Sequence, residues 1–315
     1  MRKTLLASAA LTLSLVFSAG ASFSEVESQD PIKITTHDWS ADVISATIMS
    51  EVLKKAGYNT ELVQADYLAQ FAGLKTGDLD LAMEIWSTTG KDALDEATAT
   101  GNVVNFGETG MVAREEWWYP EYMEERCPGL PDWHALLNCA DAFASPETAP
   151  NGRYLGAPVT AGGYDEERIQ ALNLPFEVVH AGTDAALFTE LQAAYERQDP
   201  ILLWIYQPHW APAKYKGKFV EFPPYDPACY TDPAWGENKD MAYDCGKPQG
   251  PVWKAGWAGL ETKWPGAAKI IRAYQMSNDD MENMIYQVDV EGQAIDAVVA
   301  DWLTKNETVW QAWLK

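Results

Sequence analysis

From residue 31 to residue 86 the chain alternates short β-branched runs with amphipathic stretches. Ile32–Thr36, Thr60–Gln64 and Leu79–Ile85 read as strands. Ile44, Ile48, Val52 and Ala56 share a helical face that Gly57 closes, and Leu68, Phe71 and Leu74 mark a second helix ending near Gly77. Such a β-α-β-α-β rhythm leaves few options, because parallel strands need crossovers and the crossovers cover the sheet with helices. The rhythm returns with strands near Tyr154–Val159, Phe176–His180 and Ile201–Tyr206, separated by helices near Asp165–Leu172 and Ala185–Arg197. Three helical stretches close the chain, near Ala267–Tyr274, Asp279–Val288 and Ala294–Lys305. Two insertions, residues 114–153 and 222–252, break the pattern with Pro, aromatic and acidic residues. The expectation is an α/β fold of two lobes over a cleft. Lobe 1 takes residues 31–112 plus 221–315, and lobe 2 takes residues 113–220.

The N-terminus reads as an export signal. Arg2 and Lys3 precede an apolar run from Leu5 to Ala19, and small residues follow, so residues 1–21 are expected to be cleaved after Ala21. Export agrees with the cysteines. Cys127, Cys139, Cys229 and Cys245 make an even set. Loop closure favours near neighbours, which predicts Cys127–Cys139 and Cys229–Cys245. A four-cysteine metal site is the rival reading, and no pair has the C-x-x-C spacing it would use. The formal charge of −23 disfavours nucleic acid and anionic membranes as partners. A monomer is expected.

Fourteen Trp in 315 residues exceed ordinary usage. Core filling accounts for many of them. In open α/β sheets, however, ligands bind beyond the C-terminal strand ends, next to helix N-termini. Trp39 follows the first strand and Trp86 the third. Trp204 and Tyr206 end the strand from Ile201, and His209 comes just after them. Trp117 and Trp118 lie just past the Phe106–Val112 segment. Four strand ends therefore deliver aromatic rings to one cleft. Ring faces carry negative quadrupole density and attract a cation that cannot hydrogen-bond, above all a quaternary ammonium. Each ring contributes about 0.5–2 kcal/mol, so polar contacts or lobe closure must add to them. Glu84, Glu115 and Glu116 are near enough in sequence to add negative potential or accept a hydrogen bond; solvated or salt-bridged carboxylates are the plain alternative. The turn Gly162-Gly163 follows a strand and precedes a helix, where backbone N–H groups receive an oxyanion.

At these residues the chain resembles the extracytoplasmic binding proteins of ABC importers for glycine betaine, proline betaine, choline and trimethylamine N-oxide. The likeness runs through GDLDLAMEIW (77–86), APVTAGGY (157–164), ELQAAYERQDPILLWIYQPHW (190–210) and MSNDDMENMIYQVDVEG (276–292). It implies the two-lobed periplasmic-binding-protein fold, type II-like, and capture of a small trimethylammonium ligand for the importer's transmembrane subunits. It implies periplasmic localisation and no enzyme activity. Trp39, Trp86 and Trp204 match cage positions, and Trp117 or Trp118 supplies the fourth ring. Tyr206, His209 and Glu84 line the site, and Gly162 and Gly163 match the turn that meets the ligand's polar end. The long insertions resemble the trimethylamine N-oxide-binding branch, which puts that ligand first and glycine betaine second. An N-oxide calls for a close donor or a protonated acid, whereas a betaine carboxylate reaches further and calls for several donors.

No cofactor is required. The second insertion offers Asp226, Asp232 and Asp240 as oxygen ligands for a structural calcium ion, although its spacing fits no EF-hand loop. The competing function is a secreted glycoside hydrolase or carbohydrate-binding protein that uses Trp as sugar platforms. No carboxylate pair stands out for that chemistry.

Overall fold

The computed structural model describes residues 26–161 and 163–315. The expected signal peptide and Gly162 lie outside the described residues. Among those residues nine strands join one sheet: β1 (Ile32–Thr36), β2 (Thr60–Gln64), β3 (Leu81–Trp86), β4 (Val103–Pro120), β5 (Gly152–Gly156), β6 (Phe176–His180), β7 (Leu203–Gln207), β8 (Gly217–Phe219) and β9 (Gln249–Trp257). Their order is β2-β1-β3-β9-β4-β7-β5-β6, with β8 paired to the end of β4. At each edge lies a parallel unit, β2-β1-β3 and β7-β5-β6, built by the strand–helix repeats the sequence announces. Between them run the antiparallel strands β9 and β4.

β4 is what joins the halves. Its first part pairs with β9 and its segment Arg114–Trp118 pairs with Gln207–Leu203 of β7. The register slips between Glu108 and Val112. Gly110 sits there at φ 94°, and a Cβ on it would lie 2.9 Å from the carbonyl oxygen of Met276. Only glycine fits both demands. Lys254 of β9 is fully buried beside the slip and donates to the carbonyls of Glu108 (2.7 Å) and Tyr274 (2.9 Å). Burial lowers its pKa to about 8.

Helices cover the first half as the periodicity predicts. The helix Ser40–Lys55 buries Ile44, Ile48, Val52 and Leu53 and packs against the helices Asn278–Asp289 and Ile295–Lys305. Both expected disulfides, Cys127–Cys139 and Cys229–Cys245, are present. Segment 222–248, placed with the first lobe by a boundary at 221, makes side-chain contacts with the second half. Phe222 lies under the Arg168 guanidinium (4.4 Å), and Asn238 donates to the Ala171 carbonyl (2.8 Å).

Candidate functional site

The cavity of interest opens where the two halves meet. Trp39 lies three residues past β1, in extended backbone at the start of its helix. Trp86 is the last residue of β3, and Tyr67 sits between β2 and the helix Gln70–Thr76. Trp204 and Tyr206 come from β7, two residues apart and therefore on one face of the strand. Glu115 stands opposite Tyr206 across the β4–β7 ladder. These six residues, with Thr89 and Ala161, line one small cavity of about 30 Å³. Trp204 and Tyr206 are 4.8 Å apart at 39°, and Trp39 and Tyr67 meet nearly edge to face at 5.5 Å. A much larger groove of about 660 Å³ between the helix Ser40–Lys55 and the C-terminal helices mixes Lys, Glu, Asp and Thr, with Trp310 as its single aromatic. It has no converging rings to recommend it.

Four of the five rings have their polar edge tied to a buried acid, while the Tyr67 hydroxyl accepts from the backbone N–H of Trp86 at 2.8 Å. The indole N–H groups of Trp39 and Trp86 both donate to Glu84 Oε2 at 3.1 Å, while Ser45 donates to Oε1 at 2.8 Å. Burial, and then the charge of nearby Asp42, raise the Glu84 pKa to about 7. Trp204 donates to Glu115 Oε2 at 3.3 Å, and Thr88 and Thr89 donate to Oε1. Burial pushes the Glu115 carboxyl up, with Lys247 as the main opposing charge. The Tyr206 hydroxyl donates to Asp184 at 3.1 Å, and burial raises Asp184 to about 8. These bonds fix ring orientation, and an ionised acceptor behind an indole N–H adds to the negative potential of its face.

Behind Glu115 lies a buried ion network. Glu116 accepts from Arg168 and from the Lys247 backbone (2.9 Å), and Asp165 accepts from Lys247 Nζ (3.3 Å) and the Trp117 indole (2.8 Å). Burial opposes ionisation of Asp165, but Lys247 and Arg168 outweigh it and hold its pKa low. Two acids and two bases balance. Glu115 feels the Lys247 charge, but its own hydrogen-bond partners are all neutral.

The structure places the remaining expected residues elsewhere. Trp117 is fully buried and stacks on Tyr154 at 4.0 Å, so it is a core ring of the second half. Trp118 is equally buried and fills the space over Gly217, where a Cβ would come within 1.9 Å of it. Neither reaches the cavity, which corrects the expectation of a fourth ring from that pair. The reason is that β4 does not end at Val112 but runs on through Pro120. His209 stacks face to face on Phe188 (3.9 Å) behind Tyr206 and lines no part of the cavity. Gly163 lies over the Asp165–Lys247 pair, and it is Ala161 from the same turn that reaches the cavity. The calcium expectation also finds no support. Asp226 and Asp232 accept from the backbone N–H groups of Ala228 and Ala234, and Asp240 has its own backbone N–H on Asn238. Among the described residues no three His, Cys, Asp or Glu converge as a metal site. Tyr67 and Thr89 were not foreseen. Tyr67 lies three residues past β2, so the strand-end rule that selects Trp39 selects it too.

Comparison with known proteins follows the same lines. Residues 30–305 match the family model of OpuAC, the substrate binding domain of the ABC-type glycine betaine transport system. The chain is 31% identical, over 325 aligned positions covering the whole of both proteins, to the trimethylamine N-oxide-binding protein of Pelagibacter ubique (strain HTCC1062). In fold it is similar to lactococcal OpuAC in its closed form with glycine betaine, with a TM-score of 0.70 and 17% identity over 91% of this chain and 100% of that one. It is similar also to an ABC-transporter choline binding protein in complex with choline, with a TM-score of 0.72 and 18% identity over 92% and 93% of the two chains. The fold is thus that of the two-lobed periplasmic binding proteins.

Proposed function

The chain belongs to the OpuAC family of substrate-binding domains, which are solute-binding proteins of ABC importers and not enzymes. From that premise we propose that it captures a trimethylated amine osmolyte, trimethylamine N-oxide before glycine betaine, between five aromatic rings at the seam of its halves. It does so after export to the periplasm and hands the ligand to the importer's membrane subunits. The observation that carries this reading is the company Glu115 keeps: Trp39, Tyr67, Trp86, Trp204 and Tyr206 wall the same cavity.

The rings supply the attraction for the methylated nitrogen, about 0.5–2 kcal/mol each. Glu115 selects the other end. Burial favours the protonated form of Glu115, and in that form the carboxyl donates to the oxygen of an N-oxide, which sits directly on the nitrogen and so within reach of the cage wall. A hydrogen bond involving a charged partner adds about 1.5–3 kcal/mol. Betaine carries its carboxylate further from the nitrogen, and in this small cavity that group must reach toward the turn around Ala161. The 31% identity to a protein named for trimethylamine N-oxide supports the same order.

The test is a calorimetric titration of ligand-stripped protein with trimethylamine N-oxide, glycine betaine, choline and a set of sugars. Tightest binding of the N-oxide is expected, and its loss in Glu115→Ala. Heat with sugars alone would sink the cage reading, and choline or betaine ahead of the N-oxide would reassign the role of Glu115.

A further inference from the structure

His209 and the segment 276–292, which contains Asp289, stand out in the sequence, and the cavity uses neither. The structure brings them together at the outer edge of the seam. Asp289 is the last residue of the helix Asn278–Asp289, on the first half, where it holds the hydroxyl of Ser40 on Oδ1. Its other oxygen, Oδ2, faces the second half and accepts from the indole N–H of Trp210 at 3.0 Å. His209 Nδ1 accepts from the backbone N–H of Ala211 (3.2 Å), so the ring proton is on Nε2, which lies 3.7 Å from the same Oδ2.

Two features are hard to explain as ordinary packing. An ionised side chain at a helix C-terminus meets the negative end of the helix dipole, so the helix itself gains nothing from Asp289 there. His209 Nε2 is buried with no hydrogen-bond partner, and it faces that carboxylate at 3.7 Å, about 0.5 Å beyond bonding distance. A small further approach of the two halves completes this bond. The His209 ring also backs directly onto Tyr206, at 4.7 Å, so the contact reaches a wall of the cavity.

We propose that Asp289, with Trp210 and His209 as its donors, is a latch between the two halves that positions Tyr206 and sets how long a ligand stays in the cavity. What is held rests on the function proposed above; the latch itself rests on the bonds across the seam. The ionised state of Asp289 fits the role, because the nearby His209 ring and the bonds from Ser40 and Trp210 outweigh the effect of its burial and keep its pKa low.

The test uses Asp289→Asn, which keeps the shape and removes the charge, and Trp210→Phe, which keeps the ring and removes the N–H. Asp279→Asn, exposed on the same helix, is the control. Stopped-flow tryptophan fluorescence with trimethylamine N-oxide and with choline gives the rate constants. The latch predicts a 5- to 50-fold faster release in both variants, association within twofold of wild type, and no change in the control. Small-angle scattering of ligand-free protein predicts a larger radius of gyration for both variants. Unchanged release in folded variants overturns the latch. If wild type binds neither probe, the proposed function fails separately, and the latch then stands or falls on the scattering alone. If Asp289→Asn does not fold, Trp210→Phe carries both measurements.

Discussion

Trp86 and Tyr206 meet edge to face across the seam, with ring centroids 5.4 Å apart and planes at 89°. One ends β3 of the first half and the other lies on β7 of the second. The cavity is therefore walled by both halves and exists in this form only while they are together. Trp86 is the ring through which apolar volume and ring face are most easily separated. Trp86→Leu keeps an apolar side chain and loses the π-face. An affinity loss of about 5- to 30-fold for trimethylamine N-oxide is expected, as about 1–2 kcal/mol of cation–π attraction disappears. Trp86→Phe should recover part of it. Calorimetry reads both; equal affinity of the Leu variant and wild type would show that no ring face is used at this position.

Glu115 makes the proposed N-oxide contact as a neutral acid, so the sign of its pH dependence is fixed. Affinity for trimethylamine N-oxide should fall as pH rises through the raised Glu115 pKa, since the donor proton is lost and two acceptors are left facing an oxygen. Choline has a permanent charge and should bind more tightly over the same rise. Glu115→Gln retains an N–H donor and cannot ionise, so its N-oxide affinity should be flat with pH. Titrations at several pH values between 5 and 9 decide this, and parallel profiles for the two ligands would remove Glu115 from the recognition step.

Glu84 links the ring-lined cavity to stability. Its folded pKa is about 7, while the unfolded chain titrates near the ordinary value of 4.5. Between those values the folded state holds a proton that the unfolded state has released. The contribution of this group to stability therefore falls as pH rises across that window, and it levels off above it. Glu84→Gln removes the proton exchange while keeping an acceptor for the two indoles. The melting temperature of wild type minus that of the variant should decrease from pH 5 to pH 8. Melting curves by circular dichroism test this, and a constant difference would mean that Glu84 is ionised throughout.

Trp118 offers the contrasting case. Packed over Gly217 and away from the cavity, it should matter for stability alone. Trp118→Phe is expected to lower the melting temperature by several degrees, as a large-to-small change in a tight core costs on the order of 1–3 kcal/mol. Ligand affinity should stay within twofold. A selective loss of affinity with unchanged melting would return Trp118 to the binding site.

The parts of this protein that local period controls were readable from its residues. The strand–helix repeats from β1 to β3 and from β5 to β7 appear where alternation and helical spacing put them, and Trp39, Trp86, Trp204 and Tyr206 share a cavity because they follow or end those strands. β4 misled because the Trp-, Pro- and acid-rich composition that begins at residue 114 hides the strand's continuation to Pro120, and Gly107 and Gly110 do not end it. Instead they allow a register slip, after which residues 115–120 are buried whichever way they point and show no alternation. Trp117 and Trp118 lie in that stretch. The side on which segment 222–248 packs was equally out of reach. It follows from Lys247, Asp165, Arg168 and Glu116 pairing over more than fifty residues, and no spacing records such a pairing.

The cavity wall also decides what stays out. Five rings, one carboxyl and the Thr89 side chain offer a bare sodium or ammonium ion few oxygens to replace its water shell, and stripping that shell is costly. A methylated nitrogen has little shell to lose. On the proposed reading, small inorganic cations therefore compete poorly for the site however abundant they are.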